Sequence, residues 1–255
     1  IYYLMKKLKK ERLCKFKNNF LSKRVLTQGY DLIINCEFSN FITKKYFSKR
    51  ISKDYNNYAY TTIINHSKTS NTKAIQIFTS RGPLAFLPIS EFQTSVVYSV
   101  KGNQRIDFKS LIRFCNKFYD ISSIDNFSRF KLQMSNLRNY YHSNILAFGD
   151  LLHKIHPLAG QGFNMTLRDI KIFSEIIQKK LYLGLPLDLS VNDEFEKKSK
   201  HINYIFSNGI DFIYEFFNFE RKTKSKIFSK TVKFLGKNFN LNKKFIEIAD
   251  KGFLL

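Results

Sequence analysis

Residues 145–164 constrain this chain more than any other stretch. Ile145-Leu146-Ala147-Phe148 is a short apolar run of the kind that makes a buried strand, and it stops at Gly149-Asp150. Pro157 then turns the chain, and Gly160-Gln161-Gly162 leads into apolar residues at Phe163, Leu167, Ile170, Phe173 and Ile177, which is helical spacing. The reading is strand, acid, proline loop, glycines, helix. Backbone N–H groups at a helix start lack partners within the helix and carry partial positive charge. Glycines there let a ligand come close to the main chain. A carboxylate at the end of a strand can accept hydrogen bonds from a polyol. The segment therefore suits a large cofactor with one hydroxylated part and one electron-rich, acceptor-bearing part; a flavin with its ribityl chain has both.

The chain has 255 residues and a formal charge of +23, with Lys, Asn, Ile, Phe and Tyr abundant and Trp absent. Such a charge by itself points to nucleic acid or an anionic membrane. The enriched residues also share AT-rich codons, so coding bias is an equal explanation of the excess. No nucleic-acid recognition motif accompanies the charge, and nucleic acid is not expected as a partner. Between Arg221 and Lys244 there are nine basic residues and no acid, and Ile227, Phe228, Val232, Phe234 and Leu235 can share one helical face. That pattern fits an anionic membrane surface or an ordinary solvated helix. No apolar run has the length of a membrane span, and the first fifteen residues lack the apolar core of a signal peptide. Cys14, Cys36 and Cys115 are far apart and without metal spacing, which reads as free thiols in a reducing cytoplasm.

Lys-rich helical periodicity covers residues 1–20. A short strand over Val25–Tyr30 and a buried one in Asp31–Cys36 follow, and residues 58–66 read as a strand rich in β-branched and aromatic residues. Lys73–Thr79, Ala85–Pro88, Ser95–Val100, Phe130–Met134 and Asn139–His142 are further strands, which together predict an antiparallel sheet. A helix is expected over Leu111–Tyr119. Leu183-Gly184-Leu185-Pro186 should break the long helix that begins near Phe163, and helical stretches should follow over 190–217 and 221–250.

The stretch Gly149-Asp150, His153, His156-Pro157-Leu158-Ala159-Gly160-Gln161-Gly162, Asn164 and Leu167-Arg168-Asp169 resembles a signature of the FAD-dependent aromatic hydroxylases of the p-hydroxybenzoate hydroxylase type, and most of all the ubiquinone-biosynthesis hydroxylases. Gly82-Pro83-Leu84-Ala85-Phe86-Leu87-Pro88, followed by Thr94-Ser95-Val96-Val97-Tyr98-Ser99-Val100, resembles the central strands of the same group. The resemblance implies an α+β, p-hydroxybenzoate-hydroxylase-like FAD/NAD(P)-binding fold with an antiparallel substrate-domain sheet and C-terminal helices. The chain contains no Gly-x-Gly-x-x-Gly after a strand, the motif that holds the ADP pyrophosphate, so the expectation is an N-terminally truncated member. Four parts follow: a remnant of the FAD-binding domain over 1–48, a sheet-rich substrate domain over 49–142, the flavin-ring part of the FAD-binding domain over 143–182, and a helical region over 183–255. Where the family carries Gly-Ala-Asp-Gly, this chain has Asn35-Cys36-Glu37-Phe38, which keeps a carboxylate and loses both glycines.

By resemblance, Asp150 binds the ribityl hydroxyls of FAD. Gly149, Gly160, Gln161, Gly162 and Phe163 surround the cofactor, with the helix-start N–H groups facing the pyrimidine edge of the ring. Pro157 fixes the loop beside the ring through its rigid φ. Asn164 either caps the helix or bonds the flavin. Asp150, His153 and His156 stand three apart, but that spacing gathers ligands only on a helix, and Pro157 argues against one; no metal site is expected. No catalytic side chain stands out. The family implies that NAD(P)H reduces FAD and that one atom of dioxygen passes to the ring of a prenylated phenol, in the cytoplasm or peripherally on the inner face of a membrane. An anionic membrane surface and a biosynthetic complex are further partners on this reading. The alternative is a non-catalytic lipid- or partner-binding scaffold derived from the same family, favoured by the altered Asn35–Phe38 segment.

Overall fold

The computed structural model describes residues 2–16, 29–79, 81–102, 106–155 and 161–223. In chain order these form α1 (Tyr2–Leu8), β1 (Ile33–Asn35), α2 (Phe41–Tyr46), β2 (Arg50–His66), β3 (Ile75–Thr79), β4 (Gly82–Pro88), β5 (Gln93–Lys101), α3 (Phe108–Cys115), β6 (Ile121–Ile124), β7 (Ser128–Leu137), β8 (Tyr141–His142), β9 (Ile145–Ala147), β10 (His153–Lys154), α4 (Gln161–Tyr182) and α5 (Leu189–Thr223). A single 3-10 turn over Gly149–Leu151 separates β9 from β10.

Two sheets result. The smaller has the order β1-β9-β8; β1 and β9 are parallel, with Ile33 opposite Ile145. The larger is antiparallel, in the order β10-β7-β2-β5-β4-β3, with β6 also paired to β2. The larger sheet is built from chain lying between two adjacent strands of the smaller one, and only β10 returns to it afterwards. One face of the larger sheet is apolar at every second residue. Tyr60, Ile64, Leu84, Phe86, Val96 and Tyr98 are buried there against Phe108 and Ile112 of α3. The second core joins the small sheet to the long helices: Leu146, Leu151 and Leu152 pack with Ile176 of α4 and Val191 and Phe195 of α5. Each large side chain buried in this way is worth about 1.5–3 kcal/mol relative to exposure.

Glycine has a structural task at position 82. Its φ is +152°, and a Cβ built there would lie 1.9 Å from the Ser99 carbonyl oxygen. The β4–β5 pairing therefore admits no side chain at the start of β4.

Several expected elements are shifted. The helix expected over Leu111–Tyr119 runs instead over Phe108–Cys115, because the Asp107 carboxylate accepts a hydrogen bond from the Ser110 N–H at 3.1 Å and so caps an earlier start. The strand expected over 58–66 begins eight residues sooner, at Arg50. Its polar first half is paired to β7 and contains a bulge between Asp54 and Asn57, which breaks the alternation that marks a strand in sequence. Helix α1 ends at Leu8, and only Tyr141–His142 of the 139–142 segment is extended. Helix α2 and strands β6 and β10 are too short to have shown a period. The helix over 190–217 extends to Thr223. The strand expected over Val25–Tyr30 lies almost wholly outside the described residues, as does the basic segment beyond Thr223.

Helix α4 forms as expected, but with a different face inward. Phe163 is 70% exposed, and Leu167 and Ile170 are exposed too, while Phe173 and Ile177 are half-buried against the core. The buried positions are Met165, Asp169, Ile176 and Lys180. Two of those four are charged, so counting apolar residues selects the neighbouring face.

Candidate functional site

The strand–turn–helix junction is built by main-chain geometry first. Leu146 and Ala147 are fully buried in β9, and Phe148 after them is still part of the core, stacked on Phe195. Gly149 then takes φ +65°, a left-handed value that favours glycine, and nothing among the described residues lies within 4 Å of where its Cβ would be. Asp150 follows in the 3-10 turn with its side chain exposed, and among the described residues no hydrogen bond to its carboxylate is seen. Leu151 and Leu152 return to the core, so the turn is anchored on both sides of the acid.

The 3-10 turn packs against α4 and against β10. Gln161 opens α4, and Gly162, Phe163 and Asn164 complete its first turn, which carries no acidic residue. A Cβ on Gly162 would meet Ile155 Cγ1 at 3.8 Å, an ordinary contact, so packing against the described residues does not force glycine there. Its missing side chain leaves the main chain of the first turn accessible. Gly149 and Asp150 thus lie in one element, and Gln161, Gly162, Phe163 and Asn164 in a second that packs against it. Pro157 and Gly160 fall in 156–160, outside the described residues, as does His156. The donor set suits a flavin: a carboxylate without a competing partner among the described residues for hydroxyls, and helix-start N–H groups for an acceptor-rich ring edge.

His153 lies in the interior. It is buried, with Nε2 placed 2.5 Å from Oδ2 of fully buried Asp169. Among the described residues, no group of His, Cys, Asp and Glu is arranged to hold a metal ion. The second oxygen of Asp169 accepts from Asn203 Nδ2 at 2.9 Å. Tyr140 bonds the Asn203 side chain, and burial pushes its hydroxyl pKa well up from the usual range. Next to Asp169, Arg168 lays its guanidinium on the Phe206 ring at 4.1 Å; burial pulls its pKa down and the neighbouring Asp169 opposes this. Sequence reading placed Asp169 in the family signature without giving it a role, and did not single out Asn203. The available signal was a carboxylate one helical turn beyond Met165, in the middle of a helix.

At the other candidate segment, Asn35 is buried and its amide donates to Thr43 Oγ1 at 2.8 Å, while its oxygen accepts from Asn40 at 2.7 Å. The Glu37 carboxylate accepts from the Ser39 hydroxyl and N–H, and these bonds hold its pKa below the usual carboxylate range.

Comparison with solved structures gives the class. A hydroxylase of anhydrotetracycline from Streptomyces rimosus superposes with a TM-score of 0.62 at 12% identity, covering 86% of this chain and 46% of that one. An aromatic hydroxylase from angucycline biosynthesis gives 0.63 at 12% identity with the same coverages. The chain has the fold of the FAD-dependent aromatic hydroxylases. In sequence it resembles the ubiquinone-biosynthesis hydroxylases: it is 24% identical over 187 residues to the mitochondrial ubiquinone biosynthesis monooxygenase of Danio rerio. It is 26% identical over 153 residues to the 3-demethoxyubiquinol 3-hydroxylase of Escherichia coli K12. Each match covers 56% of this chain and 39% of the relative, so the chain spans well under half the length of these curated proteins. No family model matches.

Proposed function

We propose that this chain is part of an FAD-dependent monooxygenase that hydroxylates the aromatic ring of a prenylated phenol in ubiquinone biosynthesis, with NAD(P)H and dioxygen as co-substrates. The observation that carries this reading is the junction at 147–164: a left-handed glycine, an exposed acid without a partner among the described residues, and a glycine-bearing helix start on the helix that packs against the same turn. When bound, the flavin supplies the redox chemistry with dioxygen. In this chain Asp150 accepts hydrogen bonds from the ribityl hydroxyls. The N–H groups of Gln161–Asn164 would hold the pyrimidine edge of the ring and favour negative charge there. Pro157 and Gly160 flank the ring. Residues 1–48 and 143–182 belong to the cofactor domain, 49–142 to the substrate domain and 183–255 to a helical region that meets an anionic membrane surface or a biosynthetic complex. No helix among the described residues is long and apolar enough to cross a membrane.

A second reading, a scaffold without catalysis, is favoured by Asn35–Phe38, where internal hydrogen bonds occupy the only carboxylate. Titrating the chain with FMN, which carries ring and ribityl chain without adenylate, separates the two. Quenched flavin fluorescence with a perturbed visible spectrum is expected; an FMN spectrum identical to that in buffer at millimolar protein refutes the flavin reading.

A further inference from the structure

Asp169 has no solvent exposure, and a buried carboxylate persists only where hydrogen bonds replace its hydration. Both of its oxygens are used, by His153 Nε2 at 2.5 Å and by Asn203 Nδ2 at 2.9 Å. A carboxylate can only accept, so the His153 hydrogen sits on Nε2. Among the described residues His153 Nδ1 is buried and has no hydrogen-bond partner, and the bond to Asp169 is the ring's one hydrogen bond there. Asn203 is itself braced by the Tyr140 hydroxyl, and its carbonyl accepts from Ser207 at 2.7 Å.

The placement of these residues matters more than their number. His153 is in β10, directly after the turn that holds Gly149 and Asp150. Asp169 is in α4, about two turns beyond Gly162. The two halves of the proposed flavin site are therefore tied by one buried bond behind them. Apolar contacts between a turn and a helix permit sliding and rotation at little cost, whereas a short hydrogen bond to a charged oxygen fixes distance and direction. A helix is stiff over this length, so a displacement at Asp169 carries Gln161–Asn164 with it.

We propose that the Asp169–His153 pair, braced by Asn203, is a positioning unit that sets the Asp150 carboxylate against the start of α4 at the spacing a flavin needs. This rests on the flavin reading and deepens it. The pair touches no cofactor and acts through the two elements it joins.

The test compares His153→Leu, His153→Gln and Asp169→Asn with the wild-type chain. Glutamine can place an amide N–H close to where Nε2 lies and so keep the donor; leucine cannot. The readouts are the FMN dissociation constant, the bound-flavin spectrum, the melting temperature, and hydrogen exchange of amides 149–154 and 161–165. Expected is FMN affinity weakened about tenfold or more in His153→Leu and Asp169→Asn, with an altered flavin spectrum, and retained within about threefold in His153→Gln. Exchange should quicken in both segments in the first two variants and stay unchanged in β2 and β5. Loss of affinity in His153→Gln equal to that in His153→Leu, or exchange in 149–154 and 161–165 no faster than wild type, overturns the proposal. Should His153→Leu fail to fold, Asp169→Asn against His153→Gln makes the same comparison. If wild type binds no FMN while exchange in the variants changes as expected, the flavin reading fails and the positioning pair stands.

Discussion

Asp150→Ala separates binding from folding. The side chain is exposed, and no hydrogen bond to it is seen among the described residues, so its removal should change stability by no more than about 0.5 kcal/mol. The turn itself survives, because Gly149 supplies the left-handed backbone and Leu151 and Leu152 hold the core side. Flavin affinity should behave differently. A hydrogen bond with one charged partner is worth about 1.5–3 kcal/mol, so loss of the ribityl contact raises the dissociation constant by about 10- to 150-fold. Fluorescence titration with FMN gives the affinity, and a thermal melt without flavin gives the control. A dissociation constant unchanged within twofold would remove Asp150 from the site. A large fall in melting temperature in the absence of flavin would show that the carboxylate holds the turn rather than a ligand.

Other outcomes follow from single features. Gly82→Ala should cost at least about 2 kcal/mol, read as a lower urea midpoint, because the new Cβ would meet the Ser99 carbonyl; a neutral result would mean that β4 and β5 part easily. Asp107→Ala should lose about 1 kcal/mol with the cap on α3, whereas Asp107→Asn should lose little, both measured by denaturant melts. Because the chain carries no Gly-x-Gly-x-x-Gly, FAD should bind it no more than about threefold tighter than FMN; a hundredfold preference would reveal an adenylate site the motif search missed. Replacing Lys226, Lys230 and Lys233 with Gln should reduce sedimentation with anionic vesicles, each lysine contributing about 1 kcal/mol, and equal weak binding by both proteins would favour coding bias as the origin of the charge.

The antiparallel sheet was legible because residues 58–66 of β2 and much of β5 are rich in β-branched and aromatic residues, and one face is buried under α3. The β9–α4 junction was legible for a different reason: glycine, acid, proline and glycine occur in an order that few backbones require. What escaped was set by contacts distant in sequence. The polar half of β2 is a strand only because β7 pairs with it. Helix α3 starts where Asp107 can cap, a side-chain choice that hydrophobic spacing cannot register. The inward face of α4 carries Asp169 and Lys180, whose burial depends on His153, Asn203 and Ser190 from other elements. A sequence pattern that ranks residues by apolarity places such charges outside, although they are among the positions the fold defines most tightly.

The parallel pairing of β1 with β9 has a kinetic consequence. The two strands stand on the order of a hundred residues apart in the chain, and closing a flexible loop of that length costs about 4 kcal/mol of chain entropy. Few ladder bonds between three-residue strands offset it. The antiparallel hairpins between them have short connections and can form early, which shortens the effective loop before β1 and β9 meet. The cofactor junction, which begins where β9 ends, should therefore be among the last regions to acquire protection during refolding. A lesion in the larger sheet such as Gly82→Ala would delay formation of the flavin site without touching any residue in it.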